Sequence, residues 1–374
     1  MRGLLTAALI VRDEAGVLDA CLTSIRDIVD EIVVVDTGSI DESVEIARRH
    51  GASVSAHRWS GDFAAARNAA LELAAGEWIL YIDADERLEP TTRAEVERLL
   101  RDAPEVAFRI LLRPDARSTP YREYRLWRHD PRIRFEGVIH EKVVPAIHRV
   151  AEQDGRPIGV ADLLLTHVGY EGDQTHKHRR NLPLLERQLA AEPDNLFNLH
   201  HYARVLEGLG EHAQAERVLE HAVDVVRRRR PDDPLGSLAF ADLIRLRRWR
   251  GDDVEVLLTE GRRRFPDNQL IVFLEGRHLL DQERYEEALD RFTALVAVDQ
   301  NALPDAGPAY DARIFGSLSH DARGVCLFQL GRYAEAAAAY EQAALAAPDD
   351  PSFAAKRALA LARAKRVAKP ISAE

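Results

Sequence analysis

Short apolar runs recur along the first 90 residues, at 4–11, 31–36, 52–56 and 78–82, and stretches near 17–28, 42–50 and 63–75 carry apolar positions at helical spacing between them. This alternation predicts strands joined by helices, a βαβ rhythm. The run Ile32-Val33-Val34-Val35 is apolar on both strand faces, which predicts a mostly parallel sheet with helices on each side. In such sheets ligands bind beyond the carboxyl ends of the strands, so polar residues just after each strand carry the most information. The run from Gly3 to Val11 follows Arg2 as a signal core would, but it meets Arg12, Asp13 and Glu14 without a cleavage site and reads as a buried strand. From about 105 to 168 the pattern becomes β-like, with many Arg, Tyr and His residues and little helical periodicity. That stretch is expected to complete the same domain, residues 1–175, ahead of a wholly helical region, 176–374.

The helical region repeats itself. Aligning Gly210 with Gly331 sets Ala203 over Gly324, Ala215 over Ala336, Leu219 over Tyr340 and Ala222 over Ala343; a third copy sets Gly276, Tyr285, Ala288 and Phe292 over Gly324, Tyr333, Ala336 and Tyr340. The spacing resembles the tetratricopeptide repeat, whose small residues let paired helices approach while an aromatic fills the gap. The segment from Asp299 to Gly316 interrupts the pattern and is expected to be an inserted loop.

Composition narrows the class. Among 374 residues, 51 Lys and Arg face 62 Asp and Glu, a net charge of −11 that disfavours nucleic acid and anionic membranes as partners. The basic runs 227–230, 245–250 and 262–264 then read as solvated helix faces. Two cysteines, Cys21 and Cys326, exclude a disulfide scaffold and fit a reducing cytoplasm. No apolar run approaches the roughly 18 residues of a membrane span.

Two acidic clusters follow strands of the expected sheet, Asp36-Thr37-Gly38-Ser39-Ile40-Asp41 and Asp83-Ala84-Asp85-Glu86. Carboxylates gathered at one sheet edge repel unless a cation or a donor lies between them, and oxygen ligands suit magnesium or manganese, which in turn bind diphosphate. Asp36 and Asp41 could instead cap the next helix, a reading that suits Asp83 and Asp85 less well.

The runs LTAALIVRDEAGVLDACLTSI, DEIVVVDTGSIDES, FAAARNAAL and WILYIDADERL together resemble the family 2 glycosyltransferases, with a GT-A type nucleotide-binding domain, over roughly residues 4–170. Arg12-Asp13-Glu14 stands where many members have Asn-Glu. The resemblance implies that Glu14 and Asp36 hold the nucleoside, with Asp36 accepting from the uracil imide, and that Arg67 faces the base or diphosphate. Asp83 and Asp85 form an Asp-x-Asp motif, which the resemblance places with Asp83 near the ribose and metal and Asp85 ligating the metal directly. Arg67 and Asn68 could instead be helix-surface residues, a reading that suits Asn68 better than Arg67.

Further on, Tyr124-Arg125-Leu126-Trp127-Arg128 and Arg134-Phe135-Glu136-Gly137-Val138-Ile139-His140-Glu141 resemble the subset of these enzymes that carries tetratricopeptide repeats, as do peptide S-glycosyltransferases of glycocin biosynthesis. In Thr166-His167-Val168-Gly169-Tyr170, His167 could complete a metal shell, although a lone histidine is more often structural. The base that takes the acceptor proton is expected at Glu141, with Glu136 and Asp130 as alternatives and a salt bridge to a nearby arginine as the plain reading.

The expectation is an inverting transfer from a UDP-sugar, aided by manganese or magnesium, to a peptide, protein or secondary metabolite. The helical domain would present the acceptor or pair two copies into a homodimer. A sugar nucleotidyltransferase ranks lower for want of a Gly-rich, Arg-containing phosphate loop. A non-catalytic scaffold ranks lower because Asp36, Asp83 and Asp85 are intact.

Overall fold

The computed structural model describes residues 3–139, 141–168, 175–229, 234–304 and 307–367. Arg2, His140, Gly169, Tyr170 and Arg230 lie outside the described residues. Packing divides the chain into two compact units, Met1–Ala116 with Pro120–Gly210, and Arg117–Thr119 with Glu211–Glu374. Helical periodicity sets in near residue 176, whereas packing divides at Gly210, because periodicity reports local helicity and not which neighbours a helix covers.

The first unit runs β1 (Leu5–Val11), α1 (Ala15–Ile25), β2 (Glu31–Asp36), α2 (Ser43–Arg49), β3 (Ser53–Ala56), α3 (Phe63–Leu73), β4 (Trp78–Tyr81), β5 (Glu86–Leu88), α4 (Arg93–Leu100), β6 (Ala107–Arg113), β7 (Tyr121–Arg128), α5 (Val144–Asp154), β8 (Ile158–His167), α6 (Thr175–Ala191) and α7 (Leu196–Gly208). One sheet has the order β3-β2-β1-β4-β7-β6-β8-β5. Its first four strands are parallel, and β7 then joins β4 antiparallel, with Trp78 opposite Arg128 and Leu80 opposite Leu126. At the far edge β5 pairs with β8 so that Glu86 faces His167.

Alternating side chains feed two cores. Leu5, Ala7, Leu9 and Val34 pack with Leu18, Leu22 and Ile25 of α1 and Val96 and Leu100 of α4. Ala8, Val33, Val35 and Ile79 pack on the other face with Ala70 and Leu71 of α3 and Ile147 and Val150 of α5. Burial on both faces explains the uninterrupted apolar strands. Helix α5 lies in the stretch expected to be β-like with little helical periodicity: Pro145 lies in its first turn, Gly155 ends it at φ +63°, and Ala146, Ile147 and Val150 form its buried face. Helix α4 starts on a capping box in which Thr92 and Glu95 satisfy each other's backbone N–H groups.

The second unit holds α8 (His212–Arg228), α9 (Pro234–Arg250), α10 (Glu255–Arg264), α11 (Gln269–Asp281), α12 (Tyr285–Val296), α13 (Ser317–Gln329), α14 (Tyr333–Ala346) and α15 (Pro351–Val367). A Cβ on Gly276 would lie 2.9 Å from the Phe292 ring, and one on Gly324 would lie 2.5 Å from the Tyr340 ring. Each glycine therefore admits the aromatic of its partner helix, as the repeat spacing implies. The segment between α12 and α13 holds two short 3-10 turns and a buried Tyr310, whose backbone exchanges hydrogen bonds with Thr119. Arginines of the basic runs pair with acids on neighbouring helices, Arg227 with Glu260 at 2.7 Å, Arg247 with Glu216 at 2.9 Å and Arg262 with Glu275 at 3.1 Å. Among the described residues, no helix is long and apolar enough to cross a membrane.

Candidate active site

The β1–α1 and β2–α2 turns are laced together by backbone-to-carboxylate bonds. Asp13, at φ +55°, accepts from the Ile40 N–H at 2.8 Å, and Asp41 accepts from the N–H groups of Ala15 and Ser43, each at 2.9 Å. Asp41 is thus a turn and cap residue. Asp36, 9% exposed at the end of β2, accepts from the N–H groups of Gly38 and Ser39 at 3.1 Å, and Gly38 sits at φ +107° to make the turn. Glu14 stands at the start of α1. Burial and the nearby Asp85 carboxylate push its pKa up, against the pull of Lys177 and Arg180.

Beyond β4, Asp83 is the hub of a cationic and aromatic cluster. It accepts from Arg67 Nη1 at 2.9 Å and from the Tyr81 hydroxyl at 3.2 Å, and Arg125 Nη1 lies 3.5 Å from its second oxygen. Both guanidinium carbons, of Arg67 and Arg125, stack on the Tyr81 ring at 4.3 Å from its centroid. Burial works against ionising Asp83, but the two guanidinium charges overcome it and hold the carboxyl well below the usual carboxylate range. Arg125 also bonds the buried Glu86 at 2.8 Å, which in turn accepts from the Asp83 N–H at 2.8 Å.

Asp85 faces a different set. Its Oδ2 lies 3.1 Å from His167 Nε2 and 3.4 Å from Lys177 Nζ. The pairing of β5 with β8 creates this contact, since Glu86 is in register with His167 and the Val168 N–H donates to the Asp85 carbonyl at 2.8 Å. Burial raises the Asp85 pKa, and the bond from His167 outweighs it, leaving the carboxyl below its ordinary value. Among the described residues, no three His, Cys, Asp or Glu side chains converge to hold an ion by themselves. With Asp83 committed to arginines and tyrosine, Asp85 and His167 offer one carboxylate and one imidazole nitrogen. That donor pair fits a divalent cation whose other ligands are diphosphate oxygens.

The Ala-Arg-Asn stretch of α3 divides its work. Arg67 bridges Asp83 and Glu141, with burial opposing its charge and both carboxylates raising its pKa above the usual arginine value. Asn68 exchanges both of its amide bonds with the backbone of Phe135, at 2.9 and 3.0 Å, and so fastens the segment leading to Glu141. That segment folds back between Glu136 and Lys142, with Gly137 at φ +103°.

Of the expected site residues, the fold joins Asp83, Arg67 and Glu141 in one ion-paired chain, sets Asp85 on His167, and places Glu14 within electrostatic reach of Asp85. Asp36 is bonded within its own turn. The alternative bases are placed elsewhere. Exposed Glu136 pairs with Arg149 at 3.0 Å, and Asp130 pairs with Arg132 beyond the end of β7 that adjoins the start of β4, the opposite end from Asp83. Sequence reasoning missed Tyr81, Arg125 and Lys177 as site residues. In the sequence Arg125 is one of several arginines in the run 124–128, and the helical spacing of Lys177 looks like any solvated face.

A mixed sheet with carboxylates beyond the ends of its parallel strands, followed by helix pairs, has the arrangement of a GT-A type domain ahead of a helical repeat region. Residues 6–151 match glycosyl transferase family 2 and residues 317–350 match the tetratricopeptide repeat, so the chain carries a family 2 glycosyltransferase domain followed by a tetratricopeptide region. A TPR repeat-containing protein of Synechococcus elongatus is 34% identical over 251 residues, covering 65% of this chain and 62% of that protein. The SPbeta prophage-derived glycosyltransferase SunS of Bacillus subtilis is 27% identical over 230 residues, covering 59% of this chain and 53% of SunS. The matches thus span a little over half of those curated relatives. The crystal structure of S. aureus TarS 1-349 in complex with UDP aligns with a TM-score of 0.37 at 15% identity, over 71% of this chain and 92% of that one.

Proposed function

We propose that the protein transfers a sugar from a UDP-sugar to a peptide, protein or secondary-metabolite acceptor, with inversion, and that Asp85 and His167 hold a divalent cation against the donor diphosphate. The observation that carries this reading is the separation of roles at the Asp-x-Asp motif. Asp83 is engaged by Arg67, Arg125 and Tyr81, while Asp85 faces His167, which can ligate a metal, and Lys177 on a flexible stem.

When bound, manganese or magnesium supplies Lewis-acid charge to the departing diphosphate. The remaining work falls to the chain. Asp36 Oδ2 accepts from Gly38 and Ser39 and Oδ1 from Ser39 alone, so Oδ1 keeps a lone pair for the uracil imide, with Glu14 beside the nucleoside. Arg67 and Arg125 fix Asp83 toward the ribose. Glu141 takes the acceptor proton on its carboxylate, whose Oε1 accepts from Arg67 Nε. The helix pairs of the second unit would present the acceptor. Cys21 and Cys326 are both buried free thiols, which supports a cytoplasmic setting.

A panel of nucleotide sugars incubated with manganese, read by mass spectrometry, tests the reading. Wild-type protein should hydrolyse a UDP-sugar in a metal-dependent way, and Asp85→Asn should lose that turnover by orders of magnitude while melting like wild type. An active, metal-independent Asp85→Asn protein would remove Asp85 from its role.

A further inference from the structure

We infer that Lys177 is a mobile cation that neutralises Asp85 in the donor-free protein and passes to the donor diphosphate when a divalent ion takes its place. The inference rests on the glycosyl-transfer reading and adds to it a diphosphate-binding residue from α6. The Lys177 ammonium and the His167 imidazole share a single oxygen, Asp85 Oδ2, at 3.4 and 3.1 Å. A divalent ion bound there would sit in contact range of the ammonium, and like charges at that distance repel. The lysine has the exposure and reach to change partner. Its side chain is 36% exposed, against 14% for Asp85, and its charge rides on a flexible four-carbon stem.

Where it would go follows from its neighbours. Lys177 and Arg180 are three apart on α6 and so share a helix face, and both charges draw on Glu14. Arg180 also lies over the Phe63 ring at 5.6 Å, at the start of the helix that carries Arg67. The face therefore turns two cations toward Glu14 and Asp85, while Asp83 is already matched by Arg67 and Arg125. With a divalent ion on Asp85, the Lys177 ammonium would keep Glu14 within electrostatic reach and would gain the diphosphate as a second anion, which lysine binds as a point charge.

The test uses the full chain and calorimetry with manganese alone, then with UDP at saturating manganese. Lys177→Gln should bind manganese alone about 3- to 10-fold more tightly, because a competitor is gone, and should bind UDP at least about 10-fold more weakly, because a ligand is gone. Lys177→Arg should restore most of the UDP affinity. A fixed structural salt bridge has no such opposed signature: UDP affinity within twofold of wild type, or manganese affinity unchanged or weakened, overturns the inference. Amine labelling of wild-type Lys177 is independent of any variant's folding. Labelling should rise with manganese alone and fall when UDP is added, and labelling indifferent to both would contradict the displacement. Wild-type protein that binds neither manganese nor UDP would sink the functional reading itself, whereas normal wild-type binding with an indifferent Lys177→Gln variant sinks only this inference.

Discussion

Glu141→Gln separates a chemical role from a structural one. The contact between Glu141 and Arg67 is nearly dry, with side chains 8% and 11% exposed, so its loss is felt in stability. Arg67 keeps Asp83 at 2.9 Å, and glutamine can still accept one hydrogen bond. Removing the charge then costs what a charged hydrogen bond is worth, about 1.5–3 kcal/mol. If Glu141 is the base, donor turnover falls by about 10²–10⁴, or about 3–5 kcal/mol of barrier. UDP affinity, which depends on Asp83 and Asp85, should fall by less than about tenfold, under about 1.4 kcal/mol. Chemical denaturation, metal-dependent UDP release and calorimetry measure the three quantities on the same preparation. Equal losses in turnover and affinity would show that Glu141 acts by holding Arg67 in place, and unchanged turnover would remove it from the reaction.

Three further outcomes are expected. Asn68→Ala strands the N–H and carbonyl of Phe135, which should lower stability by about 2–4 kcal/mol; an unchanged denaturation midpoint would contradict the fastening role. Gly324→Ala drives a methyl into the Tyr340 ring and should cost about 1–3 kcal/mol, seen as a lower melting temperature, while equal stability would mean the helices part without penalty. Burial pushes the Tyr340 phenol from 10.0 up to about 12, so the folded chain keeps a proton that the unfolded chain has released. That contribution is complete below pH 10 and is lost as pH rises toward 12, and Tyr340→Phe should flatten the alkaline fall in stability relative to wild type.

The parallel half of the sheet was legible because strands buried on both faces leave unbroken apolar runs such as Val33-Val34-Val35. Helix α5 was not, since its buried face is only three residues within a stretch rich in arginine and histidine. Asp83 and Asp85 declared themselves by following a strand, yet the side chains that surround each of them did not. Arg125 reaches Asp83 only because β7 lies antiparallel to β4, and His167 reaches Asp85 only because β8 pairs with the three-residue strand β5. Lys177 lies 92 positions from Asp85, so no local pattern could have joined them. Asn68 could be read either way until the backbone of Phe135 was seen beside it.

The most direct measurement is a crystal structure of the full chain with UDP and manganese. The account expects the ion on Asp85 and His167, the diphosphate against it, and the uracil at Asp36. UDP bound away from the carboxyl ends of β2 and β4, or an ion held by other residues, would contradict it.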